Sequence, residues 1–346
     1  SQTKSRDLNV KGTLEPFADM KIMLDVRKTT NNTYQEIFRY DPDNSRFNSL
    51  SPSLTGAYKI SMLTINTAFR NNDSKNSDVF HTFEKNIDVM KKRFTSVYNQ
   101  AYEGKSQDVL IPAFIAAYTG KDAQQTSLSP FPNIPLPNWR MDYNGLSKLN
   151  IFKSVFQSVT ISHAYNSSYS VVNYTNSLEY QNINIGSIRT YNSSLDNYGS
   201  QKTEQGLIIP KFVINQVLIS EQFSPLVGVN VRTQSKVSVR FEYKTKRDLS
   251  LNISNAQITE LNSKDWSVEV GMTKSNWKMP FRDKGRTITI KHDITIRLNM
   301  SVVNNRTIQR KIDEPNIITN GNINFQLKPN ISYVVNEKLN IQFYFD

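Results

Sequence analysis

The chain of 346 residues has no cysteine, only 12 glycines and only three histidines. The absence of cysteine excludes a disulfide scaffold and thiolate metal sites, although it names no compartment. No run of about eighteen apolar residues occurs, so no transmembrane helix is predicted. No signal peptide is visible at Ser1. For an exported protein, we therefore expect a mature chain or a piece of a longer one.

The motifs of common enzymes and metal sites are also missing. His81 with Glu84 lacks a third ligand, and His163 stands alone within a strand-like segment. His292 precedes Asp293, but neighbours on a strand point to opposite faces and form no catalytic pair. We therefore predict no catalytic residue, no cofactor and no metal site.

The composition is polar for a folded domain. Hydrophobic residues make up 38% of the chain and the mean hydropathy is -0.51, whereas globular domains have about 45–50% apolar residues. A barrel with a wet lumen accommodates this composition, because half of each strand is polar. The net charge of +12 fits nucleic acid, an anionic membrane surface or an acidic cargo. It also fits a solvated face in an Asn-, Ser- and Lys-rich chain.

Residues 287–302 alternate between apolar and polar side chains almost throughout. One side holds Ile288, Ile290, Ile294, Ile296, Leu298, Met300 and Val302, and is broken only by His292. Strands in soluble domains usually have about five or six residues, whereas a transmembrane strand needs about nine to eleven. The segment therefore predicts one long membrane-spanning strand.

Residues 236–244, 266–273 and 339–346 alternate in the same way. We expect lipid-facing side chains at Val237, Val239, Phe241, Ile288, Ile290, Ile294, Ile296 and Leu298. We expect lumen-facing side chains at Lys236, Arg240, Glu242, Lys244, Lys291, Asp293 and Arg297. The predicted fold class is all-β: a transmembrane antiparallel β-barrel, here a segment of a very large one, with a helical insertion.

Two tryptophans suggest the height of the membrane band. Trp266 and Trp277 are eleven residues apart, or about 36 Å along one strand. At a tilt of about 45° that distance projects to about 25 Å, the height of the apolar band between two aromatic girdles. We therefore predict that both belong to the girdles, although they also fit ordinary positions in a sheet.

The organisation along the chain has three parts. Residues 1–69 and 139–346 are predicted to be barrel strands, with a loop at 41–54 and turns at 246–248, 262–265 and 304–306. Residues 70–138 are predicted to be an insertion. It contains one amphipathic helix of about 25 residues capped by Ser77 or Asp78, a shorter helix after Asp108, and a proline-rich extended segment.

Two other classes of protein fit the alternation. A soluble β-sandwich, such as an adhesin or carbohydrate-binding protein, also alternates, although several strands here exceed the length of a sandwich layer. A small-solute porin or nutrient transporter would close a barrel from this chain alone. Solubility without detergent distinguishes the first of these from a membrane protein.

Several segments resemble one known family. They are 134–146 (IPLPNWRMDYNGL), 158–165 (SVTISHAY), 221–226 (EQFSPL) continuing through 240–244 (RFEYK) to 249–251 (LSL), 56–61 (GAYKIS) and 310–312 (RKI). Together they resemble the C-terminal part of the SprA (Sov) family, the outer-membrane translocons of the type IX secretion system of Bacteroidota. Members of that family are far longer than this chain.

The resemblance implies a function and partners. It implies that the chain is a piece of a much larger barrel in the bacterial outer membrane, which passes folded cargo proteins through its lumen. It also implies a PorV-like outer-membrane barrel and a periplasmic plug protein as partners, in contact with lipid and lipopolysaccharide and without nucleic acid. On this hypothesis the insertion at 77–118 caps or lines one end of the pore.

Overall fold

The structure is a computed structural model that describes residues 1–70, 76–99, 101–177, 200–202, 208–283, 286–290, 292–336 and 339–344. The strands are β1 (Gln2–Leu14), β2 (Met20–Asp41), β3 (Arg46–Ser61), β4 (Asn138–Tyr143), β5 (Phe156–Asn176), β6 (Ser200–Lys202), β7 (Ile208–Pro210), β8 (Phe212–Ile214), β9 (Gln216–Thr233), β10 (Val237–Asn252), β11 (Gln257–Lys274), β12 (Trp277–Asp283), β13 (Arg286–Ile290), β14 (Ile294–Lys311), β15 (Ile317–Asn336) and β16 (Leu339–Tyr344). The helices are α1 (Ile65–Ala68), α2 (Asp78–Tyr98), α3 (Gln107–Thr119) and α4 (Asn150–Lys153), with a 3-10 turn at Gly145–Lys148. None of the helices in these ranges has the length and hydrophobicity to span a bilayer.

One antiparallel sheet of 12 strands dominates the fold, in the order β1-β2-β3-β5-β9-β10-β11-β14-β15-β16. β4 pairs with β2 and β5, and β8 pairs with β5. Strands that follow one another in sequence are mostly neighbours, as expected where short turns join them. The all-β, antiparallel class predicted from the sequence is therefore confirmed.

The helical insertion lies between β3 and β4, two strands that together occupy one position in the sheet. β2 pairs with β4 over Met20–Asp25 and with β3 over Lys28–Asp41. β5 likewise pairs with β4 and then with β3 further along its length. β3 and β4 thus share one position between β2 and β5, and α1, α2 and α3 lie between them in sequence.

The insertion has its own apolar core. Phe83, Met90 and Phe94 of α2 are buried, as their helical spacing predicts, and residues 108–119 of α3 are buried throughout. α2 begins at Asp78, with the Ser77 side chain accepting a hydrogen bond from the Phe80 N–H at 3.2 Å. This confirms one of the two predicted caps. Val97, which follows Phe94 by three residues and so at helical spacing, is instead 63% exposed.

Replacing Ser77 with alanine is expected to destabilise the first turn of α2 by about 1 kcal/mol, because the cap oxygen satisfies an otherwise unpaired N–H. Amide hydrogen exchange in that turn should become about fivefold faster. The matched control is Ser96→Ala on the exposed side of the same helix, where alanine is the better helix former. Equal exchange in the two variants would contradict the capping role.

The strands are longer than the sequence pattern predicts. The predicted turns at 246–248, 262–265 and 304–306 lie inside β10, β11 and β14, and the predicted loop at 41–54 contains most of β3. The three turn predictions are wrong, because the polar residues that suggested turns are paired within the sheet. The loop prediction holds only for residues 42–45, which form the turn between β2 and β3. β5 likewise runs without a break from Phe156 to Asn176.

The long strand predicted at 287–302 is also wrong. Residues 286–290 pair with β12 in a separate two-stranded sheet, and the main sheet resumes at Ile294 in β14. The break falls beside His292, where the alternation is interrupted in the sequence. The side chains of Ile288 and Ile290, and residue Lys291, lie outside the described part of the structure.

Candidate functional site

One face of the main sheet carries a continuous apolar band. The register aligns its members across the strands: Leu8, Val10, Leu14, Ile22, Leu24, Val26, Met141, Val159, Ile161, Val227, Val229, Val231, Val237, Val239, Phe241, Val268, Val270, Met272, Ile296, Leu298, Met300, Leu327, Ile331, Ile341 and Phe343. Directly opposed residues on neighbouring strands share a face. The apolar band therefore runs from β1 to β16.

Most of the apolar band is not covered by another layer among the described residues; Val159, at 8% exposure, is its one buried member in that part of the chain. Val10 is 52% exposed, Leu298 42% and Val270 38%. Most exposed hydrophobic residues on proteins are scattered singly, whereas a large contiguous patch marks a contact with a partner or a membrane. This patch therefore needs an apolar environment.

The opposite face of the same strands is polar. Arg240, Glu242 and Lys244 alternate with the band residues of β10, and Glu242 forms ion pairs with Arg240 at 2.6 Å and with Lys244 at 2.8 Å. Arg297 occupies the same face of β14, opposite Gly271. Arg240, Lys244 and Arg297 reach solvent, whereas the Glu242 side chain is only 13% exposed between its two partners. The sheet therefore has one apolar wall and one charged wall.

Two predicted lumen residues lie at strand ends. Lys236 is in the turn between β9 and β10, with a φ of 63°. Asp293 lies just before β14 and accepts a hydrogen bond from the Ser275 hydroxyl. Ile294, predicted to face lipid, shares the face of the apolar band but is only 9% exposed. The alternation therefore places the middle of each strand more reliably than its ends.

Aromatic side chains line one border of the apolar band. The aromatic row consists of Trp139, Tyr165, Phe223, Tyr243 and Trp266 on the neighbouring strands β4, β5, β9, β10 and β11. Its register is irregular at one point, because Phe223 lies opposite Thr245 and not opposite Tyr243. Trp139 stacks on Tyr165 at 4.5 Å between ring centroids, and Tyr243 stacks on Trp266 at 4.0 Å. Tyr165 contacts Phe223 at 5.0 Å. Sequence reasoning missed all but Trp266, because the row follows the register across strands and leaves no signal along any one of them.

The distance estimated between Trp266 and Trp277 does not apply. β11 ends at Lys274, and Trp277 begins β12 in the separate two-stranded sheet. The two tryptophans therefore do not flank one strand, and the rise along a strand gives no separation between them.

The helical insertion packs beyond the aromatic row, on the same face as the apolar band. Ile60, Tyr169, Ile219 and Leu249 are buried in one cluster with α2 and α3. Lys28, which pairs with Ile60, follows Leu24 and Val26 on the same face of β2. The face that carries the band is thus open over one half of the strands and covered by helices over the other half.

A buried ion pair anchors the insertion near the aromatic row. Arg247 contacts Glu221 at 2.9 Å, with side chains 8% and 2% exposed. Arg247 also donates to the carbonyl oxygen of Thr67 at 3.1 Å and to its hydroxyl at 2.9 Å. The Thr64 hydroxyl donates to Glu221. Polar groups that are buried need such partners, so this network fixes the start of the insertion to β9 and β10.

A second ion pair lies deeper in the sheet. Arg310 Nε contacts Glu260 Oε2 at 3.0 Å, and both side chains are 0% exposed. Burial, and then the Glu260 carboxylate, raise the pKa of the Tyr118 phenol on α3 well above its ordinary value. Two charged side chains from β11 and β14 are therefore enclosed beneath α3.

Two of the three histidines are held by hydrogen bonds. His81 hydrogen-bonds Asn76 and Glu84 on the exposed side of α2, and His163 Nδ1 donates to the carbonyl oxygen of Leu226 at 2.7 Å. Within the described ranges, no group of three or more ligating side chains comes together to hold a metal ion. The geometry on which function can be argued is therefore the two-sided sheet.

No family model matches the chain, and a comparison with curated proteins finds no match.

Proposed function

We propose that this chain forms part of the wall of a bacterial outer-membrane β-barrel, with the apolar band against lipid and the polar face lining a water-filled lumen. The observation that carries the proposal is the uncovered apolar band, which crosses the sheet from β1 to β16 opposite a charged face. Transmembrane barrels have this two-sided pattern, with lipid outside and water inside.

The height of the apolar band is of the right order. The apolar side chains on this face of β14 run from Ile294, just before the apolar band, to Val302, just after it. This run covers about 27 Å along the strand. At a tilt of about 40° that length projects to about 20 Å, compared with about 25 Å for outer-membrane barrels. The aromatic row at one border agrees with the aromatic belt of such proteins, because tryptophan and tyrosine favour the membrane interface.

The free edges of the sheet favour a larger assembly. In the described part of the chain, β1 pairs only with β2, and β16 only with β15. Unpaired strand edges are not tolerated in hydrocarbon. Further strands, from the same protein or another, must therefore continue the wall on both sides.

The sequence resemblance gives the specific form of the proposal. We infer a segment of the outer-membrane protein-conducting channel of the type IX secretion system, which passes folded cargo proteins. A wide, wet lumen selects weakly by itself, so gating falls to partners such as a PorV-like barrel and a periplasmic plug protein. A porin closed by this chain alone needs its two edge strands to pair.

The position of the insertion changes the hypothesis drawn from the sequence. The insertion shares the face of the apolar band, so in this wall it lies against the outer side of the barrel, just beyond the hydrocarbon. It therefore does not line the lumen. The aromatic row then marks the boundary between lipid and the base of the insertion.

Spin labelling tests the two-sided wall directly, because the chain has no native cysteine. Single cysteines at Arg297, Leu298, Asn299 and Met300 would carry nitroxide labels in the assembled barrel, reconstituted in lipid vesicles. We expect labels at 298 and 300 to collide with lipid-soluble oxygen, and labels at 297 and 299 to collide with a water-soluble nickel chelate. Accessibility measured by electron paramagnetic resonance should alternate with the period of the strand.

The other outcomes identify the alternatives. Labels at 298 and 300 that are shielded from both reagents would indicate a second protein layer and hence a soluble sandwich. Four labels that all meet the nickel chelate would place both faces in water. Either result would contradict the proposed membrane wall.

A further inference from the structure

A cleft opens between the aromatic row and the base of the insertion. Its volume is about 470 Å³, within the range of small-ligand pockets. Phe223 and Tyr243 of the aromatic row form one wall, and Ala68, Phe69 and Arg70 at the end of α1 form another. Phe69 is 64% exposed and its ring lies 5.3 Å from that of Phe223. An exposed aromatic side chain therefore stands at the mouth of the cleft.

Basic side chains outnumber acidic ones around this cleft, which is called the basic cleft from here on. On the side of the insertion its charged residues are one acid and four bases: Glu221, Arg70, Arg247, Lys264 and Arg306. Lys246 contributes from the edge, because its side chain points to the other face of β10. Glu221 already pairs with Arg247 at 2.9 Å, and Lys246 pairs with Asp248 at 2.6 Å. Among the described residues, neither Arg70 nor Lys264 forms an ion pair. The basic cleft is therefore suited to an anion.

The position of the basic cleft beside the apolar band indicates which kind of anion it binds. Lys264 precedes Trp266 by two residues on β11, so it lies on the same face, about 7 Å beyond the aromatic row. Lysine and arginine at this level reach the headgroups of anionic lipids. A phosphate held by Arg70 and Lys264 would leave attached acyl chains beside Tyr243 and the apolar band.

We propose that the basic cleft binds the phosphate of an anionic lipid headgroup, with its acyl chains lying on the apolar band. The inference rests on the membrane wall proposed above. Arg70 and Lys264 make charge-assisted hydrogen bonds to the phosphate, and Phe69 covers the glycerol region. The insertion would thus be tied to the membrane surface through the lipid it holds.

Native mass spectrometry of the detergent-purified chain tests the site. The probes are phosphatidylglycerol, phosphatidylcholine and inorganic phosphate, each added separately. We expect one phosphatidylglycerol to be retained in preference to phosphatidylcholine. The double variant Arg70→Gln/Lys264→Gln should bind phosphatidylglycerol at least about tenfold more weakly, because two charge-assisted contacts are lost.

The matched control removes two charges from the opposite face. Arg232→Gln/Arg297→Gln changes residues on the polar side of β9 and β14, opposite Ser238 and Gly271. This control should retain phosphatidylglycerol as the unchanged chain does. Equal loss in both double variants would reduce the effect to overall charge and would overturn the site.

Two further results distinguish a bound lipid from free phosphate, and failure of this site from failure of the membrane wall. Displacement of phosphatidylglycerol by millimolar inorganic phosphate would mean that the cleft holds free phosphate, which contradicts the proposal. The spin-label pattern at 297–300 should persist in Arg70→Gln/Lys264→Gln. Persisting alternation with unselective lipid binding would reject the headgroup site while leaving the wall intact.

Discussion

Arginine in place of Leu298 should cost about 2–4 kcal/mol of the free energy of folding into a bilayer, because a charge is placed on the lipid face near the midplane. Leu298 lies opposite Val270 and Pro329 in the register, in the middle of the apolar band. It is 42% exposed in the isolated sheet. A soluble protein would therefore tolerate the substitution with little loss. Urea unfolding from lipid vesicles, followed by tryptophan fluorescence, measures the difference.

The neighbouring residue provides the control. Asn299 is exposed on the polar face, opposite Glu269, so Asn299→Arg should change the free energy of folding by less than about 1 kcal/mol. Val239 and Ser238 repeat the comparison on β10, where Val239 pairs with Val231 and Val270. Similar tolerance of arginine at Leu298 and Asn299 would remove the reason for placing lipid on this face.

The sequence predicts the two walls because a period of two is a local signal. Val237, Val239 and Phe241 alternate with Arg240 and Glu242, and the structure puts the two sets on opposite faces of β10. Each strand carries that information by itself. The class of the fold and the polarity of its faces therefore follow from single segments.

The ends of the strands do not follow from single segments. Lys246, Arg247 and Asp248 look like a turn because three charged residues interrupt the alternation of apolar side chains. Instead, Arg247 is buried against Glu221, and Lys246 pairs with Asp248 on the other face. The partner of Arg247 is distant in sequence, so only the register shows that a charged residue belongs to the strand interior.

The candidate site depends even more on neighbours distant in sequence. The aromatic row draws residues from β4, β5, β9, β10 and β11. The basic cleft draws residues from the end of α1 and from β9, β10, β11 and β14. Phe69 and Lys264 have no shared pattern in the sequence, and the position of the insertion on the band face follows only from pairs such as Lys28 with Ile60. The site is formed by the pairing between strands, and that pairing is determined by tertiary contacts.

Removing one partner of the Arg310–Glu260 ion pair is expected to destabilise the contact between the sheet and α3 by about 3–5 kcal/mol. Both side chains are 0% exposed, so Glu260→Leu leaves a buried guanidinium without its carboxylate. Arg310→Met leaves the buried carboxylate without its cation. Hydrogen exchange in α3 is the appropriate measurement, because this helix covers the pair and can open without the rest of the sheet.

The double variant Glu260→Leu/Arg310→Met distinguishes a buried charge from a packing defect. Removing both charges avoids the desolvation of either one, so the double variant should be more stable than each single variant, and close to the original chain. Lys311→Met provides the control, because Lys311 and Glu314 form an exposed pair at 3.2 Å that should contribute less than about 1 kcal/mol. If the double variant lost as much as the two single variants together, shape rather than charge would hold α3 on the sheet. The insertion would then be attached by its apolar core alone.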